Sequence, residues 1–179
     1  MISPATLHRW GYALLFAGLA GLFVFLRILP TGGDAGGLPP PDFIVLAGLA
    51  WVAQRPDYVP VLLFAALLLV TELLFLRPPG VASGLAVIGL EAMRSRAGLL
   101  RERGFLTEWI TAGVILALLL VAERIVLAVF FVGQPAFTLA VLGYFVNIVA
   151  YPAVAALSVW LLRVRRLAPG EHASEVRLV

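Results

Sequence analysis

The chain has 179 residues, 62% of them hydrophobic and only 13% charged, whereas soluble domains carry about 25% charged residues. That composition argues against a water-soluble fold and makes lipid the solvent for most of the chain. The basic residues are thirteen arginines with no lysine, set against ten acids for a net charge of +3, and cysteine is absent. Disulfides, thiolate catalysis and cysteine-ligated metal sites are thereby excluded. The arginines sit at the ends of apolar runs, where they anchor and orient helices, so the basic balance does not point to nucleic acid. A bundle of five or six spans uses nearly all of the chain and leaves no room for a separate catalytic domain.

The first apolar run, about 10–29, follows His8-Arg9 and ends near Arg27. Ile28-Leu29-Pro30-Thr31 offers no small-x-small cleavage pattern, so the run reads as a retained span. The glycine- and proline-rich segment from Thr31 to Pro41 reads as a loop on the far side of the membrane. The second run, Phe43 to Gln54, is short, about 18 Å of helix against a hydrocarbon core of roughly 30 Å. It spans only if Pro41 and the Arg55-Pro56 end are drawn in, giving 41–55. A third span covers 58–76, contains Glu72, and is turned by Arg77-Pro78-Pro79-Gly80. A fourth, 79–93, is again short and contains Glu91.

Between Arg94 and Glu108 lies the only sizeable charged connection, read as a solvated loop facing lipid headgroups, with a docking surface for a cytoplasmic partner as the alternative. From Ile125 to Leu162 no residue is charged, about 57 Å as one helix, which no ordinary bilayer needs. Gly133-Gln134-Pro135 must break it, into spans at about 109–132 and 137–162, the latter bent near Pro152. Arg163, Arg165 and Arg166 close the last helix, and 167–179 reads as a polar, flexible cytoplasmic tail. The fold expected is a single all-α polytopic domain over 1–166 with about six transmembrane helices. A four-span bundle with two re-entrant or tilted segments is the structural alternative. With the N-terminus inside, ten arginines fall on the cytoplasmic side and only Arg27 and Arg77 near the outer ends, in keeping with the positive-inside rule.

Charged groups at membrane depth normally face the bundle interior and find partners. Glu72, Glu91, Glu123 and Arg124 are expected to do so. Glu123 and Arg124 point about 100° apart on one helix and are expected to pair with other helices. Asn147, four residues before Tyr151-Pro152, needs a hydrogen-bond partner within the bundle or on an external helix. Gly18, Gly21, Gly80 and Gly84 allow close helix contact or mark helix ends. His8 and His172 read as solvated end residues. No nucleophile with an evident base, no HExxH, no phosphate loop and no dinucleotide pattern is present, so no catalytic, cofactor or metal site is expected.

In order and spacing these elements resemble the rod shape-determining MreD family, in its alphaproteobacterial form. The resemblance is carried by Arg55-Pro56-Asp57-Tyr58-Val59-Pro60 and by Glu72 followed by Arg77-Pro78-Pro79-Gly80. Glu91-Ala92-Met93-Arg94-Ser95-Arg96, Asn147 followed by Ala150-Tyr151-Pro152, and the closing arginines complete it. It covers nearly the whole chain. It implies a non-enzymatic subunit of the elongasome, the machinery of lateral peptidoglycan synthesis and cell shape, in the bacterial inner membrane with both termini cytoplasmic. It further implies an MreC-like bitopic partner and, indirectly, the MreB filament, the transpeptidase PBP2 and the glycosyltransferase RodA. The family's six-helix arrangement is similar to the substrate-binding components of vitamin transporters, which makes a small-molecule binding or transport subunit the alternative function.

Overall fold

The computed structural model describes residues 4–29 and 38–160, with six helices in that stretch: α1 (Pro4–Ile28), α2 (Phe43–Gln54), α3 (Val61–Leu74), α4 (Val81–Arg103), α5 (Phe105–Val129) and α6 (Phe137–Trp160). The closing arginines, the polar tail and most of the glycine-rich loop lie outside the described residues. Three helices are long and apolar enough to cross a membrane, over His8–Ile28, Phe105–Val129 and Phe137–Trp160. That is fewer clear spans than the six expected, because α2 and α3 have only 12 and 14 residues and the second half of α4 is charged.

The molecule is apolar on its outside. Leu62, Ile88, Leu118, Val149, Phe131 and Trp160 are all exposed, while Glu72 and Glu108 are buried. A contiguous apolar exterior over buried carboxylates is the pattern of a helix bundle in lipid.

α2 is the centre. Its sequence, FIVLAGLAWVAQ, is apolar all round, and every residue after Phe43 is buried. α4 and α6 pack along it, α5 bridges those two, and α3 packs on α4. α1 touches α2 and α3 on the remaining side. A run of rings fastens α1: Tyr12 stacks on Tyr58 at 4.1 Å, Phe16 meets Trp51 edge-on at 5.4 Å, and Phe23 stacks on Phe43 at 4.8 Å. His8, read as a solvated end residue, is exposed but rests edge-on against Tyr12 and Tyr58.

The helix ends follow from local chemistry. α2 stops where Arg55, forced extended before Pro56, adopts φ −140° and ψ 90°. α3 and α5 both end with a residue in the left-handed region, Leu76 at φ 51° and Phe131 at φ 52°. In each, the next N–H bonds back five residues, Arg77 to the Glu72 carbonyl at 2.9 Å and Val132 to the Leu127 carbonyl at 2.9 Å. This is the Schellman closure, made here without glycine.

The charged segment from Arg94 onward is not a loop. α4 runs unbroken to Arg103, and only Gly104, at φ 79°, separates it from α5. Arginine and glutamate are good helix formers, and Met93, Ala97 and Leu100 recur on one buried face, so packing holds the helix through the charges. Helix contact also relies on other glycines than those expected. A Cβ at Gly18, Gly21 or Gly84 would meet nothing within 4 Å. At Gly48 it would collide with the Phe64 ring, and at Gly89 it would press on Ile115 and Leu119 at 3.0 Å.

Candidate functional site

Most of the polar groups at membrane depth serve as ties between elements. Glu72, 2% exposed, lies in the last turn of α3 and caps the next helix. Its carboxylate accepts the N–H of Gly80 at 2.7 Å, the N–H of Ser83 at 2.9 Å and the hydroxyl of Ser83 at 2.8 Å. The Arg77-Pro78-Pro79-Gly80 turn makes this reach possible, since the prolines stop α3 and Gly80 takes φ 89°. A carboxylate on the first turn of a helix is also favoured by the helix dipole.

Asn147 plays the corresponding part for α2. Its Oδ1 accepts the backbone N–H of Asp42 at 2.8 Å, at the helix N-cap, and Asp42 Oδ1 accepts the Val45 N–H at 3.5 Å. Asn147 lies about 15 Å along α6 from its start at Phe137. α2 therefore begins partway down the bundle. The chain reaches that depth through the non-helical segment 38–42, whose Pro39 ring lies beside Gly143.

Tyr151 and Pro152 have partners the sequence reading missed. The Tyr151 hydroxyl donates to Glu108 Oε1 at 3.0 Å, with both residues buried. Glu108, assigned to the charged connection, is instead in the first turn of α5. Pro152 has no N–H to give the carbonyl of Ile148, four residues back. The indole N–H of Trp109 supplies that donor, at 3.0 Å. The signal was present in the sequence, because a helix proline always strands the carbonyl four residues before it, but nothing in the sequence named Trp109 as the group to fill it.

Two expectations need correction. Glu91 is exposed and pairs with Arg94 on its own helix at 3.4 Å, because it lies opposite the Met93–Ala97 face. Arg94 also donates to the Val59 carbonyl at 2.7 Å. Arg124 does not cross to another helix at depth. It donates to Gln134 Oε1 at 3.0 Å and to the Ala136 carbonyl at 3.3 Å, and its guanidinium lies over the Phe137 ring. Gln134 donates back to the Arg124 carbonyl at 3.1 Å. Arg124 thus clamps the α5–α6 connection that Gly133-Gln134-Pro135 opens.

Glu123 differs from the others, because it makes no hydrogen bond or ion pair within the described residues and faces a cleft. The cleft has a volume of about 510 Å³ and lies where α2, α4 and α6 begin and α1, α3 and α5 end. Arg27, Asp42, Glu72, Arg77 and Asn147 share it with Glu123, and leucines of α4 and α5 form its apolar wall. Pro78 is also at its edge, whereas Glu91, Arg124, Tyr151 and Pro152 are not. Among the described residues no three histidine, aspartate or glutamate side chains converge as metal ligands. Comparison with known proteins gives no match to the chain from any family model, curated protein or solved structure.

Proposed function

We propose that this protein is a non-enzymatic inner-membrane subunit of the elongasome that binds an MreC-like single-span partner and so supports lateral peptidoglycan synthesis and cell shape. The MreB filament, PBP2 and RodA are then reached through that partner. The observation that carries this reading is how the polar residues behind the MreD resemblance are used. Glu72, Asn147 and Tyr151 are spent on capping or tying helices, which fits a scaffold and leaves the lipid-depth exterior free for a partner helix. Packing and small contacts drive such association, since lipid offers no hydrophobic gain between helices.

The arginine distribution supports both termini in the cytoplasm and the cleft opening outward. Because the chain has no cysteine, single cysteines report topology without background. Positions Gly133 and Gly98 are exposed with open space around them. A membrane-impermeant maleimide should label Gly133→Cys and not Gly98→Cys in intact cells, and co-expression should recover the single-span partner in mild detergent. Labelling of Gly98→Cys from outside would reverse the orientation and remove the case for this subunit.

The cleft favours a second reading, a subunit that binds a small molecule. Pockets of this size with a few convergent polar groups on apolar walls are the usual form of ligand sites.

A further inference from the structure

We infer that the cleft is a site for one zwitterionic phospholipid, with the phosphate held by Arg27 and Arg77 and the ammonium of the headgroup by Glu123. The inference deepens the binding reading of the cleft and does not depend on the assembly role. Two guanidinium groups reach the cleft from different elements, Arg27 from the end of α1 and Arg77 from the α3–α4 turn. Guanidinium pairs are suited to phosphate through parallel charge-assisted hydrogen bonds.

Glu123 faces the same space from α5. Neither Arg77 nor Glu123 enters an ion pair among the described residues. Had they closed on each other, the cleft would have neutralised itself. Left apart around one cavity, opposite charges match a ligand that carries both signs. An anionic ligand alone would leave Glu123 without a counterpart, and a cationic ligand alone would leave Arg77 without one.

The walls decide between a free zwitterion and a lipid. Inward from Glu123, Leu120, Leu119 and Leu116 run about 10 Å along α5. Leu85 and Ala86 face the same space from α4. A soluble headgroup would leave this surface wet, whereas acyl chains cover it. The charged rim lies towards the helix ends and the apolar wall towards the middle of the bundle, the order of headgroup and tail in a bilayer. A volume of about 510 Å³ takes the headgroup and the first part of the chains.

Native mass spectrometry of the full chain in mild detergent tests this, with phosphatidylethanolamine, phosphatidylglycerol and soluble glycerophosphoethanolamine as probes. The wild type should keep one phosphatidylethanolamine under activation that strips phosphatidylglycerol. Arg77→Gln should lower retention at least tenfold, and Glu123→Gln should make the two lipids equal. Leu120→Trp should expel the lipid with every charge in place. Should that variant not elute as a single species, Arg77→Gln, an exposed position, carries the test alone. The inference is overturned if the wild type holds both lipids equally, if Arg77→Gln retains lipid unchanged, or if glycerophosphoethanolamine displaces the lipid at equal concentration. A protein that keeps its lipid but captures no single-span partner would count against the assembly reading and leave this one standing.

Discussion

Glu72 and Trp109 show how single side chains at membrane depth are bound to the folding of the bundle. Glu72→Ala would strand the buried Ser83 N–H and weaken the start of α4, a loss of about 2 kcal/mol. Glu72→Gln keeps one acceptor oxygen and should cost about half of that. Melting in mild detergent reads both, and an alanine variant that melts with the wild type would remove the capping role. Trp109→Phe should cost about 1–3 kcal/mol by leaving the Ile148 carbonyl without a donor. Pro152→Ala returns an N–H to that carbonyl, so the same change made in the Pro152→Ala background should cost at least about 1 kcal/mol less. Equal costs in the two backgrounds would show that the indole acts by packing alone. Leu76 makes the opposite point. It holds φ 51° with its side chain in the open, and Leu76→Gly should relieve about 1 kcal/mol of left-handed strain, seen as a higher melting point.

At the scale of elements, α4 offers the sharpest test. Backbone amides from Arg94 to Arg101 are helical, so hydrogen exchange there should be protected and continuous with the preceding turns, with the break at Gly104. Exchange at loop rates from Arg94 onward would restore the charged connection first expected. The sequence reading placed the turns well because proline and glycine act locally: Arg77-Pro78-Pro79-Gly80 and Gly133-Gln134-Pro135 stop helices whatever surrounds them. It failed at Arg94–Arg103 because charge was taken as a sign of solvent, whereas the buried Ala97 and Leu100 face decided the conformation. For the same reason Glu108 was placed in a loop, when its burial depends on a tyrosine 43 residues later. The depth at which α2 starts was legible only as a shortage of length. Where its start would be fixed depended on Asn147, whose need for a partner was clear while the partner's identity was not.

For the molecule as a whole, two regions follow from these elements. At one end, the start of α2 below the bundle surface leaves the cleft of Arg27, Arg77 and Glu123. Around the sides, short α3 stands beside the longer α4 and α1, and an apolar exterior surrounds the bundle. A neighbouring helix would fill such a step with packing contacts. The central claim is that this exterior holds a single-span partner. The most direct measurement is photo-crosslinking in intact membranes, with the reactive residue placed in turn at the exposed positions Leu62, Ile88, Leu118 and Val149 and an MreC-like protein co-expressed. The account predicts strong crosslinks to the partner's transmembrane segment from a contiguous subset of these positions and none from the rest. No crosslink from any of them, with both proteins present in the membrane, would contradict it.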